Sequence, residues 1–237
     1  MALKGRGPVE RLDRFRKARM IEAFLEDALA CEIRDLKILD VGCGNGQISD
    51  HFSERNDVHS VDVTDKRRTD PARYSFTLIE NETLPFGDGF FDVVLSHHVI
   101  EHVQDQRLHL AEIARVVKDP GVVYLGCPNG GSPFMAGHVG NPSVPTWPDI
   151  EALLEGAGFD REECYTRLLS EPDRYCCELR LGRLVPSAMI RLVRRWYPSH
   201  CFLLRRRVAR GHFREACPSD DPAVVAAGLP ERLARSR

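Results

Sequence analysis

No stretch of this chain of 237 residues approaches the ~20 consecutive apolar residues that a membrane-spanning helix needs. Its opening residues, Met1-Ala2-Leu3-Lys4-Gly5-Arg6, run into charge and not into an apolar leader. A cytoplasmic protein is therefore expected. The eight cysteines contain no Cys-x-x-Cys pair, and the adjacent Cys176-Cys177 does not suggest a zinc site. They read as scattered reduced thiols, and no metal is expected. A Walker loop and a Tyr-x-x-x-Lys pair are both missing. That argues against phosphate-loop chemistry and against the short-chain reductases and sugar epimerases. No internal repeat is present, and neither sign of charge dominates, the net being −2.

What the chain does have is an ordinary globular composition, 43% hydrophobic and 29% charged, enough to bury a sizeable core. Helical spacing over 12–29, with Phe15, Ala18, Ile21, Phe24, Leu25, Ala28 and Leu29, predicts a helix. Strand-like runs follow at 37–41, 58–63, 74–79, 91–96 and 122–127, with further strands expected near 162–169 and 201–204. Between them, helices are expected at 47–55, around Leu110, Ile113, Ala114 and Val117, and around Ile150, Leu153 and Leu154. Asp119-Pro120-Gly121 reads as a turn, and 128–148 as a Gly/Pro/Ser-rich loop. Alternating strands and helices predict an α/β fold, a doubly wound, Rossmann-like parallel sheet of about seven strands with helices on both faces. The expected organisation is an N-terminal helical segment at 1–30, a ligand-binding domain at 31–207 with a basic helical insertion near 180–199, and a flexible tail at 208–237.

The sharpest local signal is Ile38-Leu39-Asp40-Val41-Gly42-Cys43-Gly44-Asn45-Gly46. A buried strand enters a G-x-G-x-G loop, where glycine permits a sharp turn and close approach of a ligand. Doubly wound sheets bind ligands at that edge. A dinucleotide fingerprint would need glycine at 47, where Gln47 stands. Asp62 follows Gly42 by 20 residues, at the end of the second strand, where a carboxylate can accept both ribose hydroxyls of an adenosine. The plainer alternative is a structural turn with Asp62 as a cap.

Together with the downstream segments, this loop resembles the class I S-adenosylmethionine-dependent methyltransferases, in particular the small bacterial "type 11" kind, over about residues 36–160. Leu84-Pro85-Phe86-Gly87-Asp88-Gly89-Phe90-Phe91-Asp92-Val93-Val94-Leu95-Ser96 is similar to the family's run into its fourth strand. Val99-Ile100-Glu101-His102-Val103, Asp119-Pro120-Gly121 and Pro128-Asn129 also resemble family segments. The resemblance implies S-adenosylmethionine as cofactor. Asp40, Gly42, Cys43, Gly44, Asn45 and Gly46 would flank its methionine part, Asp62 and Val63 its ribose, Glu80 and Asn81 its adenine, and Ser96 and His97 its sulfonium end. The chain departs from the family at Glu80, where Asp is usual, and at Gly121-Val122, where two glycines are usual.

Methyl transfer from a sulfonium is an in-line displacement in which positioning supplies much of the rate. An oxygen or nitrogen acceptor must also lose a proton, which suits a histidine base. His138, in the loop after the fifth strand, and His98, after the fourth, are the candidate catalytic residues; His97 also lies nearby, and His102 reads as structural. Segments diagnostic of nucleic-acid amino methylation (Asn/Asp-Pro-Pro-aromatic) or cytosine C5 methylation (Pro-Cys) are absent. From Arg180 to Arg214 there are ten arginines and no acid, which points to an anionic substrate or peripheral contact with an anionic membrane, or simply to a solvated basic face. No nucleic-acid-binding motif supports a nucleic-acid partner. Arg16 or Arg19 could meet the cofactor's carboxylate. The expectation is therefore a methyltransferase acting on a small molecule or glycoconjugate, at oxygen. A nicotinamide-dependent oxidoreductase and a non-catalytic S-adenosylmethionine-binding module are the alternatives.

Overall fold

The apolar runs read from the sequence become the central strands. In the computed structural model, which describes residues 8–132, 143–167 and 199–206, β1 (Lys37–Val41), β4 (Phe91–His97) and β5 (Val117–Pro128) are buried along most of their length. Burial on both faces is what continuous apolar strands require. Side chains are described for 15–132, 143–159 and 199–206.

The helices are α1 (Pro8–Leu29), α2 (Gln47–Phe52), α3 (Gln106–Val116) and α4 (Trp147–Gly156). The remaining strands are β2 (Asp57–Asp62), β3 (Ser75–Leu78), β6 (Phe159–Arg167) and β7 (Ser199–Arg206). All seven form one sheet in the order β3-β2-β1-β4-β5-β7-β6. One face packs on α1 and α2 through Ile21, Phe24, Leu25, Ile48, Phe52 and Tyr124. The other packs on α3 and α4 through Leu110, Ile113, Ile150, Leu154 and Phe202. The α/β sandwich with helices on both faces is therefore observed. Among the described residues, no helix is both long and apolar enough to cross a membrane.

Three features differ from the sequence reading. The last strand is antiparallel to both β5 and β6, wedging between them, so the sheet is mixed and not wholly parallel. Val117 belongs to β5 and not to the preceding helix, which ends at Val116. The Asp119-Pro120-Gly121 turn is a kink inside β5, where the register with β4 shifts. A Cβ at Gly121 would come within 2.8 Å of the Lys118 carbonyl oxygen, so only glycine fits the kink. Most of the basic stretch 180–214 and the tail 208–237 lie outside the described residues.

The order of strands reverses between β1 and β4, the position at which doubly wound sheets open a crevice at their carboxyl edge. In register, Val41 pairs with Val61 on one side and Ser96 on the other. The next residues, Gly42, Asp62 and His97, therefore emerge side by side at that edge.

Candidate active site

Gly42, Gly44 and Gly46 all take the left-handed backbone, with φ of 71°, 58° and 82°. A residue with a Cβ is strained there, by roughly 1–2 kcal/mol. Space excludes one as well: a Cβ at Gly42 would lie 2.5 Å from Val99 Cγ2, and one at Gly46 would overlap the Tyr74 hydroxyl and crowd Thr69 Oγ1 at 2.7 Å. The loop's main chain is tied down. The Gly42 and Cys43 amides donate to Val61 O at 2.8 and 3.1 Å, and the Arg68 amide donates to Asn45 O at 3.0 Å. Asn45 Oδ1 in turn accepts from the Gln47 amide at 3.3 Å.

Two carboxylates bracket this loop. Asp40 is buried, and its Oδ2 accepts from Ser49 Oγ at 2.6 Å, bracing β1 against α2 from beneath. Asp62 is half-buried at the end of β2; Oδ2 accepts from the Gly44 amide at 2.9 Å and Oδ1 from the Thr64 amide at 3.1 Å. Thr64 Oγ1 adds a third, longer bond to Oδ1 at 3.4 Å; a carboxylate offers about four acceptor sites, so these bonds orient the group and still leave capacity, chiefly on Oδ2, for a ligand hydroxyl. Cys43 is buried between these acids. Burial first, then Asp40 and Asp62, push its thiol well above the ordinary range, so it is inert as a nucleophile.

Beside Asp62 the edge is apolar and open. Val63 and Leu78 are each 59% exposed, and Leu78 pairs with Asp62 in the sheet. Glu80 and Asn81 follow, both exposed, with Asn81 Oδ1 accepting from the Thr83 amide at 2.9 Å.

Across the crevice, the end of β4 is built from side chains. Ser96 is fully buried and meets His109 Nε2 of α3 at 3.2 Å, so its hydroxyl supports the edge from within the core and does not face it. Burial pushes His109 down to about 4, against the opposing pull of Glu82 and Glu101, and keeps it neutral. His97 turns to the opposite face of the sheet, where Nδ1 meets Tyr124 Oη at 3.2 Å. His98 stands at the rim with its side chain 38% exposed and its Nδ1 3.2 Å from Oε1 of Glu101, which is 6% exposed. It adopts φ 57°, the left-handed region, without being glycine. Its amide donates to Gly126 O at 2.8 Å. His102 is exposed and lies in a turn, since α3 begins only at Gln106 under an Asp105 cap. His138 lies outside the described residues. On α1, Arg16 is half-buried and Arg19 exposed.

Two open depressions lie at the opposite edge of the sheet, one around Asn56, Asp57 and Arg73 and one around Lys37, Asp92 and Lys118. Their charges are already matched: Arg73 meets Asp50 at 3.1 Å and Lys118 meets Asp92 at 2.8 Å. The glycine edge, with its unspent acceptors, carries the ligand chemistry.

Residues 39–125 match the family model described as "Methyltransferase domain". This segment is thus similar to a methyltransferase domain. In addition, the chain is 29% identical over 151 residues to an O-methyltransferase of Aspergillus nomiae, a match covering 54% of this chain and 65% of that protein. The chain thus spans less than two thirds of the length of the curated relatives it matches. Among solved structures it is similar to the 1,6-didemethyltoxoflavin-N1-methyltransferase of Burkholderia thailandensis, at TM-score 0.55 and 17% identity, covering 88% of this chain and 94% of that one. It is also similar to the [4+2]-cyclase SpnF, at TM-score 0.59 and 16% identity, covering 81% and 82%. At these identities the structures speak to the fold alone.

The methyltransferase domain suits an adenosyl ligand on its own geometry. A glycine loop without side chains, an oriented carboxylate with spare acceptor sites and an exposed apolar pair stand in sequence along one edge. Sequence reasoning missed Leu78, whose only signal was an apolar residue at the end of a short strand. It also missed Val99, Thr69 and Tyr74, which enforce the glycines, and the Glu101 and His109 carboxylate and imidazole beneath the rim. Apart from Glu101, three residues from His98, those partners lie far off in sequence or on other elements, and no local pattern reveals them.

Proposed function

We propose that this protein transfers a methyl group from S-adenosylmethionine to an oxygen of a small-molecule acceptor. The observation that carries the reading is the alignment of Gly42, Asp62 and His97 at the point where strand order reverses, with the Gly44 amide clamped to Asp62. Asp62 would accept the ribose hydroxyls, Val63 and Leu78 would flank the adenine, and Glu80 and Asn81 would meet its polar edge. Asp40 and the loop 42–46 would form the wall of the methionine part, with Arg16 or Arg19 toward its carboxylate. When bound, the cofactor supplies a methyl group on a positively charged sulfur. The chain's task is then to orient an acceptor, exclude water and take a proton. His98 is at the rim to take it, and His138 is the second candidate.

The similarity to an Aspergillus O-methyltransferase favours oxygen as the acceptor atom. The nicotinamide alternative is disfavoured by the loop's far end. A pyrophosphate would need the N-terminus of α2, but Tyr74 and Thr69 close over Gly46 at that spot. That a [4+2]-cyclase shares this fold means that the fold alone does not fix the reaction. The ten arginines between 180 and 214 support an anionic or glycoconjugate acceptor or an anionic membrane surface, and the location fitting this reading is the cytoplasm.

Calorimetric titration with S-adenosylhomocysteine, with NADH in parallel, tests the cofactor. Micromolar binding of the first and none of the second is expected. Release of S-adenosylhomocysteine across a panel of phenols, catechols and amines then tests the transfer; binding without release from any of them would move the reading to a non-methylating ligand-binding role. Sedimentation with anionic liposomes at low salt tests the surface role of 180–214.

A further inference from the structure

We propose that Glu101 is the positioning residue of the site, holding His98 in the protonation form that accepts a proton from the methyl acceptor. The inference rests on the proposed transfer reaction for its consequence, but not for its structural content. His98 carries two independent marks. It is a non-glycine residue held at φ 57°, a strained conformation that persists only where the surroundings impose it. Its ring is also held on one side only, Nδ1 lying 3.2 Å from Glu101 Oε1.

Glu101 is an unusual partner. It is 6% exposed, and its Oε2 is buried and receives no hydrogen bond from any described residue. A buried carboxylate is costly unless it is paired. His98 supplies that pairing, and the carboxylate in return selects the imidazole's form. A proton on Nδ1 bonds to Glu101, which leaves the Nε2 lone pair free at a rim that is 38% exposed. The carboxylate also stabilises the imidazolium formed when Nε2 takes a proton. In the transfer step, an acceptor hydroxyl gives its proton to His98 Nε2 as its oxygen bonds to the methyl carbon. The carbon–sulfur electron pair returns to sulfur, which becomes a neutral thioether. His98 ends as imidazolium against Glu101.

Other titratable groups near the pair are accounted for. The His97 ring lies 4.6 Å from the His98 ring but turns to Tyr124. From α3, His109 feels Glu101 and Glu82, and burial keeps it neutral. From β5 the neighbour is the Gly126 carbonyl, bonded to the His98 amide.

The test is 15N NMR of histidine-labelled full-length protein, with His98→Asn to assign the signal. The expected result is a neutral His98 protonated on Nδ1, a form kept in Glu101→Gln, whose amide oxygen still accepts from Nδ1, and lost in Glu101→Leu. A His98 protonated on Nε2, or a tautomer unchanged in Glu101→Leu, overturns the proposal. S-adenosylhomocysteine titration of the same samples separates the two readings. Retained binding in Glu101→Gln shows that the variant is folded. A wild-type protein that fails to bind would count against the proposed function alone, since the His98 reading does not depend on it.

Discussion

At the ends of β1 and β2 the ligand edge is made of main chain. Gly42, Gly44 and Gly46 take positive φ without strain, and their amides bond to Val61 O, Cys43 O and the Asp62 carboxylate. At the end of β4, on the other side of the reversal, the edge is made of side chains. His98 takes positive φ with a Cβ, and beneath it Ser96 and Glu101 are buried, each with an imidazole nitrogen 3.2 Å from one oxygen. The first region is a rigid cradle whose shape follows from what glycine lacks. The second stores strain and buried polarity, features that cluster where a protein acts on a substrate. Holding a cofactor and handling a proton call for these two different constructions.

Substitutions can break each side separately. The largest effect is expected for Gly46→Ala, which adds a Cβ against Tyr74 and Thr69 at a left-handed position. Strain and overpacking together should remove about 2–5 kcal/mol of stability in urea unfolding and abolish S-adenosylhomocysteine binding. Gly87→Ala, with nothing within 4 Å, is the matched control and should do neither.

Next in size is an acid effect on the β4 side. His109 drops to about 4 in the folded protein from an ordinary 6.5. Above 6.5 it is neutral in both states and contributes nothing to pH dependence. Below that the unfolded chain takes up the proton first, so stability falls as pH drops from 6.5 toward 4, by about 3 kcal/mol in all. His109→Phe should flatten this limb of a stability–pH curve, while the orphaned Ser96 hydroxyl lowers stability at neutral pH by about 1 kcal/mol.

Asp62→Ala should leave the fold standing and weaken S-adenosylhomocysteine binding by about 10- to 100-fold in calorimetry, the scale of losing charge-assisted hydrogen bonds. The smallest effect carries the opposite sign. In a Glu101→Gln background, where no buried carboxylate is left unpaired, His98→Gly relieves a left-handed Cβ and should raise stability by about 1 kcal/mol while lowering methyl transfer. A destabilising His98→Gly in that background would mean that the conformation is not strained and that the two sides differ less than described.

How much of this was legible beforehand follows the same division. The glycine loop and Asp62 could be read directly, because φ > 0 leaves glycine as its trace and strand ends fall where apolar runs stop. The seven strands and both helical layers could be read for the same reason: apolar periodicity marks burial whatever the partner is. The antiparallel β7 could not, since direction is not encoded in a run of apolar residues. The kink within β5 was visible as Asp119-Pro120-Gly121 but was read as a boundary.

The sequence by itself determined the glycine loop after β1 and the acid that ends β2, because those features are local. Only the tertiary structure decided what the histidines do. His97, His98, His102 and His109 look alike as letters. One meets a tyrosine on the far face, one sits strained against a buried glutamate, one is solvated, and one is kept neutral in the core. An imidazole's role is set by its partners and its access to water, and those come from α3, β5 and the turn after β4, which only folding brings together.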